Sequence, residues 1–194
     1  NVDRKKVHAV GGGINIDINK IDESQKTGNK ILFVGRDFER KGGILVIEAF
    51  KKLKEKMPDA MLYLAGPSSN PVKENIEGYK YLGDLGYDEL VKYYNMCDIF
   101  CMPSHFEAYG LVFAEALVFG LPCITRNAYS MKEFIKDGEN GYLIDNDDVS
   151  VLADKMEMLL KNEEIKENVR KNRQYYVEKY SWKAVVERIT DIIN

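Results

Sequence analysis

Residues 103–125 read PSHFEAYGLVFAEALVFGLPCIT, and their reading decides the fold. From Ala108 to Thr125 every residue is uncharged except Glu115, which is flanked by Phe113, Ala114, Ala116 and Leu117. A carboxylate in such surroundings needs a partner, because an ionised group loses its water on burial and only a specific contact recovers the cost. A bound ligand is one such partner. The glycines divide the run: Ile99 to Met102 is predicted as a short buried strand, Pro103 to Gly110 as a loop, Leu111 to Phe119 as a helix closed by Gly120, and Leu121 to Thr125 as the next strand.

The same order recurs on either side. Upstream, Ile31 to Gly35 reads as a strand, followed by a charged turn and a helix from Gly43 to Lys56 with Ile44, Ile47, Phe50 and Leu53 at helical spacing. Met61 to Ala65 and Tyr79 to Leu82 are further strands, separated by a loop over Gly66 to Gly78. Asp88 is the expected cap of a helix whose buried face carries Leu90, Tyr93, Tyr94 and Cys97. Downstream lie a short helix with Glu133, a turn at Asp137-Gly138, and a strand from Gly141 to Ile144. Asp148 is positioned to cap the helix Val149 to Asn162, and two further helical segments begin at Ile165 and Ser181. Apolar strands that do not simply alternate, each followed by a helix, predict an α/β fold with a parallel sheet covered on both faces.

Bulk properties narrow the function. A chain of 194 residues, 45% hydrophobic and 30% charged, suits one soluble globular domain. The formal net charge of -3 provides no bulk attraction for nucleic acid or an anionic membrane. Cys97, Cys101 and Cys123 sit in apolar runs without metal-like spacing, as expected of reduced buried thiols in a cytoplasmic protein. The first residues do not form a signal peptide, and Gly110, Glu115, Gly120 and Pro122 break up the one run that resembles a membrane span. The absence of an initial methionine suggests a processed or excerpted segment.

Several residues carry candidate chemistry. The helix beginning at Leu111 offers unpaired N–H groups and a partial positive charge, a place to hold phosphate. Glu107 and Glu115 flank it; carboxylates repel phosphate, so they are better suited to accepting hydrogen bonds from sugar hydroxyls. Arg36 and Lys41 fall on the turn after the first sheet strand and suit a diphosphate, although taken alone two of 28 basic residues on a loop signify little. Asp145-Asn146-Asp147 has a metal-binding form, but turn and cap chemistry explains it. His8 and His105 lack a nucleophile partner. A dinucleotide-binding Gly-x-Gly-x-x-Gly is absent, since Gly35-Arg-Asp-Phe-Glu-Arg40 occupies that turn, and no P-loop is present.

Glu107-Ala-Tyr-Gly-Leu-Val-Phe-Ala-Glu115 resembles the signature of the family 4 retaining glycosyltransferases. So do Val34-Gly35-Arg36 with Lys41-Gly42, Leu62 to Gly66, Cys97 to Phe100, Pro103-Ser104, Gly120-Leu121-Pro122, and Glu133 with Asp137-Gly138 and Gly141. The resemblance departs at Gly11-Gly12-Gly13, where similar proteins carry Pro-Asn-Gly, and at Gly66 to Gly78, where they tend to carry a helix. It implies the C-terminal half of a GT-B fold, with residues 1–29 as interdomain linker, 30–180 as the Rossmann-like donor domain, and 181–194 as a crossover helix. It further implies a donor diphosphate held by Arg36, Lys41 and the backbone of Gly110, Leu111 and Val112, a donor ribose on Glu115, and Glu107 as the catalytic carboxylate near the transferred sugar. Base-pocket candidates are Leu82, Gly83, Asp84 and Leu85, with UDP favoured over GDP.

The function expected is therefore metal-independent transfer of a hexosyl group from a nucleoside-diphosphate sugar, with no cofactor, to a glycan or lipid acceptor. The acceptor would be recognised mostly by an N-terminal domain that this chain lacks, through which peripheral membrane association could also arise. Donor binding without turnover is expected of this chain alone. A non-catalytic sugar-nucleotide module and an epimerase-like domain are the alternatives. The apolar stripe Trp182, Val186, Ile189 and Ile193 is expected to stand partly exposed.

Overall fold

In the computed structural model, which describes residues 3–22, 24, 26 and 28–193, six parallel strands form one sheet. They are β1 (Lys30–Val34), β2 (Met61–Ala65), β3 (Tyr79–Gly83), β4 (Ile99–Cys101), β5 (Cys123–Arg126) and β6 (Gly141–Ile144). Their spatial order is β3-β2-β1-β4-β5-β6, with Leu32 opposite Tyr63 on one side and Phe100 on the other. Ile31, Leu32 and Phe33 are consecutive and fully buried, as a strand covered on both faces requires.

The strand order reverses between β1 and β4. Right-handed crossovers then carry α1 (Gly43–Lys56), between β1 and β2, to one face and α3 (Leu111–Val118), between β4 and β5, to the other. The packing agrees: α1 lies against α5 (Val149–Lys161), whereas α3 lies against α4 (Met131–Phe134), α6 (Glu163–Lys171) and α7 (Arg173–Lys179). The reversal also leaves a crevice at the carboxyl ends of β1 and β4, where doubly wound sheets take ligands.

Local differences from the expected elements have identifiable causes. The helix α2 (Tyr87–Met96) is capped at Gly86, whose N–H donates to Glu89 Oε2 at 3.2 Å; Asp88 instead pairs with Lys20 at 2.6 Å. The strand predicted from Leu121 begins at Cys123, because Pro122 precedes it and contributes only its carbonyl, to the Phe100 N–H. Ile44 is exposed although it lies on the helical stripe, and Leu45, Val46 and Ala49 are buried in addition to Ile47, Phe50 and Leu53. The segment predicted from Ile165 divides at Asn172 into α6 and α7. No helix or strand forms between Gly66 and Gly78.

Residues 10–22 are docked. Ile14 N–H donates to the Tyr180 carbonyl at 2.9 Å, Trp182 Nε1 to Asn15 Oδ1 at 2.7 Å and Arg188 Nε to the Val10 carbonyl at 2.8 Å. Glu23, Gln25 and Thr27, in the polar stretch read as linker, lie outside the described residues. The last helix, α8 (Trp182–Ile193), buries Val185 but leaves Trp182, Val186, Ile189 and Ile193 exposed. All three cysteines are free and buried. Among the described residues no helix is long and apolar enough to cross a membrane.

Candidate functional site

Two loops meet at the switch point, one after β1 and one after β4. Gly42 joins them: its φ is +78°, and a Cβ there would come within 2.5 Å of the Pro103 carbonyl oxygen. His105 N–H and Ser104 Oγ both donate to the Arg40 carbonyl, at 2.8 and 3.2 Å. This clamp brings Lys41 and Glu107, 66 residues apart in the chain, into direct ion-pair contact. Their side chains are 16% and 8% exposed. Arg40 Nη1 approaches the same Glu107 oxygen at 3.5 Å and donates to the Phe106 carbonyl at 2.6 Å.

The helix α3 starts at this clamp. Gly110 is its N-cap, in the left-handed region at φ +94°, and being a glycine it provides no side chain to cap the first turn. The first-turn N–H groups of a helix have no intrahelical acceptors, so those of Leu111 and Val112 suit an anion. One turn further in, Glu115 Oε2 accepts from the Tyr94 hydroxyl at 3.2 Å. Burial pushes the Glu115 carboxyl above its ordinary range, and the Tyr94 hydrogen bond opposes the rise. Tyr94 is fully buried, stacked on Phe119 at 5.1 Å, so it fixes one carboxylate oxygen rigidly.

On the nucleotide-facing side predicted from sequence, Arg36 Nε lies 3.1 Å from Asp84 Oδ1. Both border a cleft of about 130 Å³ that also includes Val34, Ala65, Gly66, Leu85 and Leu90. Of the four base-pocket candidates, Asp84 and Leu85 line this cleft, while Leu82 and Gly83 do not. The Gly83 carbonyl is occupied by the Gly66 N–H at 2.7 Å.

Beyond Glu107, toward β6, His105 Nε2 lies 3.0 Å from Asp147 Oδ2, and Arg126 contacts the other Asp147 oxygen. The His105 hydrogen bond, and then Arg126, hold Asp147 below the usual carboxylate range. Asp145 accepts from Asn127 Nδ2 at 3.0 Å, and Asp148 caps α5 through the Ser150 and Val151 N–H groups. Asp145 and Asp147 are thus held by Asn127, His105 and Arg126 from other loops, and the turn and cap chemistry expected of this stretch falls to Asn146 and Asp148. Among the described residues no group of three or more His, Cys, Asp or Glu side chains is arranged to hold a metal ion.

The sequence reading missed Arg40, Tyr94 as the Glu115 partner, and Ser130, whose Oγ donates to the Glu107 and Tyr109 carbonyls at 3.2 and 2.6 Å. Arg40 had a signal, since it adjoins Lys41 on the ligand-facing turn. The other two had none, because their contacts join separate crossover units.

A 3-2-1-4-5-6 parallel sheet with basic residues and an open helix N-terminus at its switch point defines a Rossmann-like domain of the C-terminal GT-B type. The family of group 1 glycosyl transferases matches residues 15–176, and the chain belongs to that family. It is 32% identical over 152 residues to the sulfoquinovosyl transferase SQD2 of Arabidopsis thaliana, covering 74% of this chain and 29% of that protein. To the capsular polysaccharide biosynthesis glycosyltransferase CapM of Staphylococcus aureus it is 27% identical over 191 residues, covering 92% and 50%. The chain therefore spans half or less of the length of these curated relatives.

Solved structures share the fold. A glycosyltransferase from Rickettsia africae superimposes with a TM-score of 0.82 at 21% identity, covering 98% of this chain and 57% of that one. The pneumococcal O-GlcNAc transferase GtfA, solved in complex with UDP and GlcNAc, gives 0.76 at 21%, covering 89% and 37%.

Proposed function

We propose that this chain is the donor-binding half of a retaining glycosyltransferase that moves a hexosyl group from UDP-sugar, in preference to GDP-sugar, to a glycan or lipid acceptor. The single observation behind this reading is the convergence of Lys41, Glu107 and the uncapped start of α3 at the switch point. In a nucleoside-diphosphate sugar one oxygen joins the distal phosphate to the anomeric carbon. Groups that serve these two atoms must be neighbours, and Lys41 and Glu107 are.

In this reading Arg36, Lys41 and the N–H groups of Gly110, Leu111 and Val112 hold the diphosphate, and take up its growing charge without a metal ion. Glu115, one oxygen fixed by Tyr94, offers the other to the ribose hydroxyls. Of the base-pocket candidates, Asp84 and Leu85, which line the cleft beside Arg36, border the base. As the bond from the anomeric carbon to the phosphate oxygen breaks, the electron pair leaves with the diphosphate. The acceptor hydroxyl then attacks from the same face and passes its proton to the leaving phosphate, while Glu107 stabilises positive charge on the sugar. The acceptor is recognised mostly by a second wall of the cleft supplied by an N-terminal domain, and the enzyme works in the cytoplasm, where that domain brings it to a membrane surface. Residues 1–29 serve as the interdomain segment and 181–194 as a crossover helix, so residues 1–194 alone bind donor without turnover.

Calorimetric titration with UDP, GDP and uridine tests the reading. UDP is expected to bind in the micromolar to millimolar range, about 4 to 8 kcal/mol, and uridine much more weakly. Arg36→Ala should cost about 1.5 to 3 kcal/mol of that binding. Equal affinity for uridine and UDP, or an unchanged Arg36→Ala variant, rejects the diphosphate assignment.

A further inference from the structure

Phe106 and Tyr129 are 49% and 55% exposed, yet their rings meet edge to face with centroids 5.1 Å apart. Phe106 immediately precedes Glu107, and Tyr129 lies on the loop after β5. Tyr129 has a φ of +51°, a conformation that L side chains rarely adopt, and it is one of two non-glycine residues with positive φ among those described. The neighbouring Ser130 ties this turn to the Glu107 and Tyr109 carbonyls, and Arg40 fixes the Phe106 carbonyl. Two large rings are thus held in the open at a backbone cost, with little apolar burial in return. Strain of this kind persists where function uses it.

The sheet order gives the pair a direction. The Asp84 and Leu85 cleft lies at the β1, β2 and β3 ends, Lys41 and Glu107 lie at the junction of β1 and β4, and Phe106 with Tyr129 lies at β4 and β5. The rings therefore stand on the far side of Glu107 from the nucleotide cleft, bordered by Arg40 and the His105–Asp147 pair. A pyranose ring has one face of C–H groups and a rim of hydroxyls, and it matches an aromatic surface edged with charged hydrogen-bonding groups.

We propose that Phe106 and Tyr129 form a stacking platform for the pyranose ring of the acceptor, so that part of acceptor recognition resides in this half of the enzyme. The inference rests on the donor reading above. The test is saturation-transfer NMR on the 194-residue chain with UDP present, using methyl glucoside, galactoside, mannoside and N-acetylglucosaminide as probes. At least one should show transfer to its ring C–H protons, lost in Phe106→Ala and kept in Tyr129→Phe. Tyr129→Gly removes the ring while relieving the positive φ, so it should fold at least as well as wild type, bind UDP within about twofold, and lose the sugar signal. No signal with any probe, or a signal that survives Phe106→Ala and Tyr129→Gly, overturns the platform. In a parallel run with UDP-glucose in place of UDP and the methyl glycosides, loss of transfer to the hexosyl protons in Phe106→Ala and Tyr129→Gly, without loss of a methyl glycoside signal, overturns its assignment to the acceptor. Failure of wild type to bind UDP instead removes the donor reading, a distinguishable result.

Discussion

Replacing Lys41 with methionine keeps the aliphatic stem that packs beside Gly35 and removes the charge that faces Glu107. Glu107 would then be an almost completely buried carboxylate whose remaining cation is Arg40 at 3.5 Å. Breaking a buried pair by removing one partner costs about 3–5 kcal/mol. Arg40 is partly exposed and recovers about 1 kcal/mol or less. The expected loss for Lys41→Met is therefore about 2–4 kcal/mol, measured as a shift of the urea midpoint with an unchanged slope. Glu107→Gln, which leaves the less buried partner with a neutral acceptor, should cost less. Combining the two should recover part of the loss, with a coupling of about 1–3 kcal/mol. Calorimetry supplies the functional half. Lys41→Met should weaken UDP binding roughly 10- to 150-fold, the equivalent of one charge-assisted contact. Glu107→Gln should strengthen it, because Lys41 no longer exchanges a carboxylate for phosphate. A Lys41→Met protein within about 0.5 kcal/mol of wild type and with unchanged UDP affinity refutes both the pair and its role.

Two other sites give independent checks. Burial raises the Glu115 carboxyl above its ordinary value of 4.5, so the folded state favours the protonated form, and stability is lost as pH rises through the folded value. Glu115→Gln should accordingly be more stable than wild type at pH 7, with the gain falling away as pH drops to 4.5, while UDP binds it more weakly at pH 7; a variant less stable than wild type at neutral pH would contradict this. At Gly42, alanine meets both a positive φ and the Pro103 carbonyl, so Gly42→Ala should cost at least about 2 kcal/mol in urea denaturation, and a wild-type midpoint would show that the two site loops are not clamped together.

The sequence by itself determined the class of the sheet and the positions of its loops. Runs such as Ile31 to Phe33 are short and apolar without alternation, the pattern that a strand covered on both faces requires. Gly110 and Gly120 bounded α3 because each sits at a positive φ, which other residues avoid. The candidate site residues were legible from their position and from the family resemblance: Arg36, Lys41 and Glu107 fall just after strands, at the edge where such sheets take ligands. Local pattern could not give the order of the strands, since periodicity records which face is buried and not which strand lies alongside. Everything that depends on that order came from the tertiary structure. The contact between Lys41 and Glu107, the Tyr94 hydrogen bond to Glu115, and the meeting of Phe106 with Tyr129 each join different crossover units. The first follows once β1 and β4 become neighbours, because the reversal of the sheet brings their loops to one crevice, and Phe106 meets Tyr129 because β4 and β5 lie side by side. The free stripe on α8 was readable as an apolar face, but its exposure was decided by packing, which turns Val185 inward and leaves Trp182 and Val186 outside.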